Sequence, residues 1–152
     1  MNIIWAAIAL VVSIECFVEQ DPVLQCKHGL VTDARFSSIK RHLSLSTHCE
    51  TTPDMLADPT FPNEEQQKAI AQWMSAHSEC HSRAQPRPSE STSSALAGRL
   101  DEIESAMIFD AADLYQRRIS FGEFNQRRQA LWTNSSGEAG GTSPPLRSKT
   151  TQ

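Results

Sequence analysis

The sequence has few apolar residues, no excess of basic charge and no hydrophobic run long enough to span a membrane. Hydrophobic residues make up 39% of its 152 residues, and the formal net charge is −4. This charge argues against a protein that coats nucleic acid, because such proteins are strongly basic. The chain length excludes a multidomain enzyme, a dinucleotide-binding or barrel fold and a polytopic membrane protein, since each needs a longer chain.

The sequence also lacks the motifs of a nucleophile elbow, a phosphate-binding loop and a dinucleotide-binding turn. Acidic pairs such as Asp101/Glu104 and Asp110/Asp113 fall within a helix whose other face is apolar, and this pattern is typical of a solvated face. We therefore predict that the protein is not an enzyme and has no cofactor.

An uncharged apolar run extends from Ile3 to Ile14. It is shorter than the roughly 20 residues of a membrane span and has the length of the apolar region of a secretory signal. The small residue Ser13 favours cleavage after that position, and cleavage after Cys16 is the alternative. We predict a signal peptide over residues 1–13 and an exported protein that is periplasmic, in the cell envelope or secreted. Membrane contact is expected only through an uncleaved leader.

The predicted fold class is mainly α. Residues 14–62 are predicted to be rich in loops, with one short helix and a Pro-rich connector. Phe36, Ile39 and Leu43 recur there at helical spacing. Residues 63–134 are predicted to form a small three-helix domain. Residues 135–152 are rich in Ser, Gly, Thr and Pro, and are predicted to be a disordered tail.

Two capping boxes mark the starts of helices in the 63–134 region. Asn63 with Gln66 predicts a helix that runs to about residues 80–82, and Ser120 with Glu123 predicts the last helix. Between them, apolar residues at three- and four-residue steps predict a helix from Ser93 to Gln116. The predicted core positions on the three helices are Ile70, Trp73, Met74, Leu100, Ile103, Met107, Leu114, Phe124, Leu131 and Trp132.

The chain contains four cysteines, at positions 16, 26, 49 and 80. An exported protein meets an oxidising compartment, where disulfides are the first interpretation of such residues. We predict a Cys49–Cys80 disulfide that joins the Pro-rich connector to the end of the first long helix. The sequence leaves the partners of Cys16 and Cys26 open.

The alternative to a disulfide is a zinc site. His77 and His81 are four residues apart, so both can face one side of a helix, with Cys80 close by. Together with His48 and Cys49 they form the only cluster of Cys and His ligands in the sequence. A zinc-binding protein that uses His48, Cys49, His77, Cys80 and His81 is therefore the second functional hypothesis.

A basic and aromatic patch is predicted near the C-terminal end. Its members are Tyr115, Arg117, Arg118, Phe121, Arg127, Arg128 and Trp132. Nearby acidic residues partly neutralise it, so we predict no nucleic-acid binding. We expect Arg127 and Arg128 to remain outside the core.

Two stretches carry a resemblance to a known group of proteins. One is a helix that begins after Pro62 and contains Ala69-Ile70, Trp73 and Cys80, and the other is LYQRRISFGEFNQRRQALW. Both resemble small exported bacterial proteins of uncharacterised function that end in a short helical hairpin. Arg117 or Arg118 stands where such hairpins commonly have glycine. The resemblance implies export, an all-helical fold and no catalytic residues.

These observations favour a non-enzymatic exported accessory protein that binds an unknown protein partner or an envelope component.

Overall fold

The computed structural model describes residues 22–83 and 94–137, which contain helices, turns and loops but no strand. The mainly α fold class is confirmed. The described helices are α1 (Pro22–Val31), α2 (Pro53–Leu56), α3 (Glu64–Arg83), α4 (Ser94–Tyr115) and α5 (Phe121–Gly137). Short 3-10 turns cover Ala34–Phe36 and His48–Glu50.

The predicted signal peptide lies outside the described residues, as do residues 138–152 of the predicted tail. At the start of that tail, α5 continues to Gly137. No helix in the described ranges has the length and apolarity needed to cross a membrane.

The two predicted capping boxes are confirmed. At the start of α3, the Asn63 amide donates to Gln66 Oε1 at 3.0 Å and the Gln66 amide donates to Asn63 Oδ1 at 2.9 Å. At the start of α5, the Ser120 amide donates to Glu123 Oε2 at 2.8 Å and the Glu123 amide donates to Ser120 Oγ at 3.2 Å. Each box satisfies two backbone amides that would otherwise lack intrahelical partners.

The turn between α4 and α5 uses an arginine where glycine is usual. Arg117 has φ 61°, in the left-handed region. The Arg118 amide reaches back to the carbonyl of Asp113 at 2.9 Å, and the Arg117 amide reaches that of Leu114 at 2.9 Å. This is the hydrogen-bond pattern of a helix that ends in a left-handed residue. The Arg117 side chain is exposed.

Helix α1 is a correction to the sequence analysis, which assigned no helix to this stretch. It packs against α3, and Leu30 joins the core. Lys27 and Leu30 are its only buried residues, so it has no apolar stripe from which a helix could be recognised. Segments before residue 63 thus supply part of the core.

The core is centred on Trp73, which is fully buried. Its ring meets Phe124 edge-on, with centroids 6.1 Å apart, and its Nε1 donates to the carbonyl of Leu45 at 3.0 Å. Around it pack the core residues Leu30, Phe36, Ile39, Leu43, Leu45, Ala69, Ile70, Met107, Ala111, Leu114, Ile119, Phe121 and Phe124. Leu100, predicted to be in the core, is exposed, and Trp132 is half-buried.

Helix α5 begins in close contact with the loop that follows α2. The Gly122 amide donates to the carbonyl of Asp58 at 2.7 Å. A Cβ atom on Gly122 would lie 2.7 Å from that oxygen and 2.8 Å from the carbonyl oxygen of Leu56. Because both neighbours are backbone atoms, only glycine allows this approach.

Gly122→Ala is therefore expected to lower the free energy of unfolding by about 2 kcal/mol, the range of an overpacked site. Gly98→Ala is the matched control, because Gly98 lies inside α4 with no atom within 4 Å of its added Cβ. Alanine is a better helix former than glycine, so this change should stabilise the protein by about 0.5–1 kcal/mol. Urea unfolding of both variants checks the prediction, and equal effects in the two would contradict the close approach.

Candidate functional site

Three ionisable side chains from three helices contact one another in the interior. Glu104 of α4 lies between Lys27 of α1 and His77 of α3. Its Oε2 is 3.1 Å from Lys27 Nζ, and its Oε1 is 2.8 Å from His77 Nδ1. We refer to Lys27, His77 and Glu104 as the buried ionic cluster, since His77 is only 1% exposed and the other two are largely buried.

Burial and charge set the protonation of this cluster. Burial lowers the pKa of His77 to about 4, with the Glu104 hydrogen bond opposing the shift and the Lys27 charge adding to it. Burial alone would raise the pKa of Glu104, but hydrogen bonds from His77 and Lys27, with the Lys27 charge, hold it well below its usual range. At neutral pH the cluster therefore contains an ionised Glu104, a charged Lys27 and a neutral His77.

The geometry fixes the tautomer of His77. Because Glu104 is ionised and lies beside Nδ1, that nitrogen carries the hydrogen and Nε2 keeps a lone pair. Nε2 is buried and has no hydrogen-bond partner among residues 22–83 and 94–137. A carboxylate that orients a histidine in this way also occurs in hydrolase triads, but here the ring is closed off from solvent. In this conformation the pair stabilises the packing of α3 on α4.

A fourth ionisable side chain, Arg128, lies close enough to the cluster to interact electrostatically with Glu104. Arg128 of α5 is only 2% exposed, and its guanidinium carbon is 5.8 Å from the centre of a Trp73 ring. Its Nη1 donates to the carbonyl of Ser44 at 2.6 Å and its Nη2 to that of Ser46 at 3.1 Å. Burial lowers the pKa of Arg128 to about 10, against the attraction of Glu104 and Glu50, so it remains charged at neutral pH.

The expectation that Arg128 lies outside the core is wrong. Its neighbour Arg127 is exposed and pairs with Asp110 at 3.1 Å. Phe121 is fully buried as well. The predicted basic and aromatic patch is thus divided, with Arg128 and Phe121 in the interior and Arg117, Arg118 and Arg127 at the surface.

The predicted Cys49–Cys80 disulfide is wrong, because Cys80 is bonded to Cys26 of α1, with Cα atoms 5.5 Å apart. Helix α1 has only two buried residues and no apolar stripe, so it could not be predicted, and the position of Cys26 beside the end of α3 could not be predicted either. Cys49 is also in a disulfide. Cys16 lies outside the described residues.

The five candidate zinc ligands have other partners. His77 binds Glu104, and His81 Nε2 is 2.8 Å from Asp101 Oδ1. His48 stacks on Trp132, with ring centroids 4.7 Å apart. A cysteine sulfur in a disulfide is not a thiolate, the form that binds zinc, and both Cys49 and Cys80 are oxidised. In the described part of the chain, no three His, Cys, Asp or Glu residues form a metal-binding group.

The sequence analysis missed Lys27, Glu104 and Arg128 as interior residues. Glu104 was grouped with the solvated acidic residues of α4, yet it lies three positions before Met107 and seven before Ala111. Arg128 lies four positions after Phe124. A charged residue in line with an apolar stripe was thus the available signal for both.

Comparison with known proteins finds no matching family model, no similar curated protein and no similar solved structure. The resemblance to small exported bacterial proteins stays a prediction.

Arg128→Ala is expected to lower the free energy of unfolding by about 3 kcal/mol or more. It removes the donor for two buried carbonyls and leaves the Glu104 charge less compensated. Arg127→Ala is the matched control at the next position, where an exposed ion pair contributes about 0–1 kcal/mol. Urea unfolding at pH 7 measures both, and similar losses would contradict the burial of Arg128.

The protein is expected to lose stability as the pH falls from about 6.5 to 4. The unfolded chain protonates His77 near pH 6.5, whereas the folded chain resists protonation until about pH 4. The unfolded state therefore binds more protons across this window, which lowers the free energy of unfolding by roughly 3 kcal/mol at its acid end.

His77→Gln removes this titration, so its stability should fall less steeply than that of the wild type in urea titrations at pH 7, 6, 5 and 4. Ile70→Val is the control, because it weakens the core by about 1 kcal/mol without changing a titrating group. It should keep the wild-type slope. If the stability of His77→Gln fell with pH as steeply as that of the wild type, groups other than His77 would be the cause of the acid sensitivity.

Peptide mapping without reduction is expected to recover Cys26 linked to Cys80. The bond joins residues separated by 54 positions, so the chain-entropy model predicts that the Cys26→Ala/Cys80→Ala variant loses about 4 kcal/mol. Chemical unfolding measures this loss. A linked peptide containing Cys49 and Cys80 would contradict the assigned pairing.

Proposed function

We propose that the protein is a non-enzymatic exported accessory protein, periplasmic, in the cell envelope or secreted, and that it acts by binding a partner protein or an envelope component. The observation that carries the proposal is the Cys26–Cys80 disulfide, together with the oxidised state of Cys49. Structural disulfides form and persist in oxidising compartments and are rare in the cytosol.

The remaining parts of the proposal come from the sequence. The apolar run from Ile3 to Ile14 acts as a signal peptide, with cleavage after Ser13. Residues 63–134 contribute most of the three long helices of the exported domain.

The distribution of polar and apolar side chains among the described residues supports partner binding. Inside the fold, Lys27, His77 and Glu104 join three helices, and Arg128 joins α5 to the loop at residues 44–46. Large apolar side chains remain at the surface, among them Phe109 at 76% exposure and Phe61 at 46%. Exposed aromatic residues are favoured in protein interfaces.

Export and oxidation can be tested together by alkylating free thiols in intact cells of the native host and measuring the intact mass. The expected species lacks residues 1–13 and carries no alkylated cysteine. Leu10→Arg is the control, because a charge inside the apolar run should keep the chain in the cytosol with reduced, alkylated cysteines. Full-length, fully alkylated wild-type protein would contradict the proposal.

Partner binding is tested by affinity purification of a tagged protein from the same compartment. A partner should be recovered in near-stoichiometric amount with the wild type and lost with Cys26→Ala/Cys80→Ala, which weakens the fold. Wild-type protein recovered alone, or equal recovery with both proteins, would contradict a role in specific binding.

A further inference from the structure

Helix α4 exposes a phenylalanine at the centre of its outer face. Phe109 is 76% exposed, although the α4 residues Met107 and Ala111 on either side of it in sequence are buried. Leaving a Phe side chain in water forgoes about 1.5–3 kcal/mol that burial would contribute. The residues one turn before and after it are Ser105, Ala106, Ala112 and Asp113, which are small or short. Phe109 therefore projects above its surroundings.

The two ends of this outer face carry opposite charges. Glu102 lies seven residues before Phe109, which brings it back to the same side of the helix, and it is exposed. Arg117 lies eight residues after Phe109, in the left-handed turn that ends α4. Neither side chain has an ion-pair or hydrogen-bond partner within the described ranges. We refer to Glu102, Ser105, Ala106, Phe109, Ala112 and Arg117 as the α4 face.

These charges are self-complementary in one arrangement. Suppose that two copies of α4 pack antiparallel about a two-fold axis through Phe109. A residue that precedes Phe109 in one copy then faces a residue that follows Phe109 by about the same distance in the other copy. Glu102 is about 10 Å from the axis toward the start of α4, at 1.5 Å rise per residue. Arg117 lies on the opposite side of the axis, in the turn just beyond the last residue of α4, Tyr115. Each Glu102 carboxylate then meets the Arg117 guanidinium of the other copy, so the dimer contains two such pairs. Ala106 faces Ala112, which leaves room for the two Phe109 rings.

We propose that the α4 face binds a second copy of this chain, as an antiparallel, two-fold symmetric dimer with Phe109 at its centre and Glu102 paired with Arg117 of the other copy. The inference goes beyond the proposed function and does not depend on export. A parallel arrangement would place Glu102 beside Glu102 and Arg117 beside Arg117, so the charges select the antiparallel one.

The test is sedimentation velocity of the oxidised protein, as recovered from the cell, over a range of concentrations. The wild type is expected to form a dimer. Phe109→Ser should weaken dimerisation by roughly tenfold or more, as expected for a central aromatic residue. Because Phe109 contributes little to the core, the melting temperature at dilute concentration should stay unchanged. Phe61→Ser, at an exposed aromatic outside α4, is the matched control and should leave dimerisation as it is.

A charge-reversal cycle tests the orientation. Glu102→Arg and Arg117→Glu should each weaken the dimer, since each places like charges opposite one another at both ends. The double variant restores opposite charges and should recover most of the wild-type affinity. A wild type that remains monomeric, a dimer insensitive to Phe109→Ser, or a double variant no better than the single ones would overturn the proposal. A monomer that binds a different protein through the α4 face would also overturn it.

Discussion

The carboxylate of Glu104 joins three helices because each of its oxygens has a partner on a different one. Lys27 of α1 contacts one carboxylate oxygen and His77 of α3 contacts the other. Removing such charges from water is costly, and an interior ion pair contributes to folding only when its remaining hydrogen bonds are satisfied. Arg128 adds positive charge beside it while binding two backbone carbonyls. One carboxylate thus joins three helices, and a wrong register or a missing helix would leave its charge uncompensated.

The Cys26–Cys80 disulfide and the buried ionic cluster both attach α1 to the rest of the protein at adjacent residues. Cys26 and Lys27 are consecutive, so α1 is held covalently to α3 and ionically to α4 within one turn. Helix α1 has few buried residues of its own, so these two attachments add to the limited contact that Leu30 makes with the core. Small domains often need cross-links to supplement limited burial, and here the cross-link holds a short helix with little apolar surface against the core.

Sequence reasoning succeeded where the determinants are local and failed where they are tertiary. Both capping boxes could be predicted, because Asn63/Gln66 and Ser120/Glu123 act over three residues. The apolar stripes predicted α3, α4 and α5 for the same reason. The partner of Cys80 could not be predicted, since it depends on α1. The burial of Glu104 and Arg128 likewise depends on partners far away in sequence, so their position in line with an apolar stripe was not sufficient to predict it.

The distances along the chain between these partners have a consequence for synthesis. Arg128 binds carbonyls 84 and 82 residues before it, and Lys27 binds a carboxylate 77 residues after it. The first half of the protein therefore cannot complete its interior until α5 has been made, and contacts of such long range form late in folding. Until then, a growing chain lacks the partners that its interior charges need.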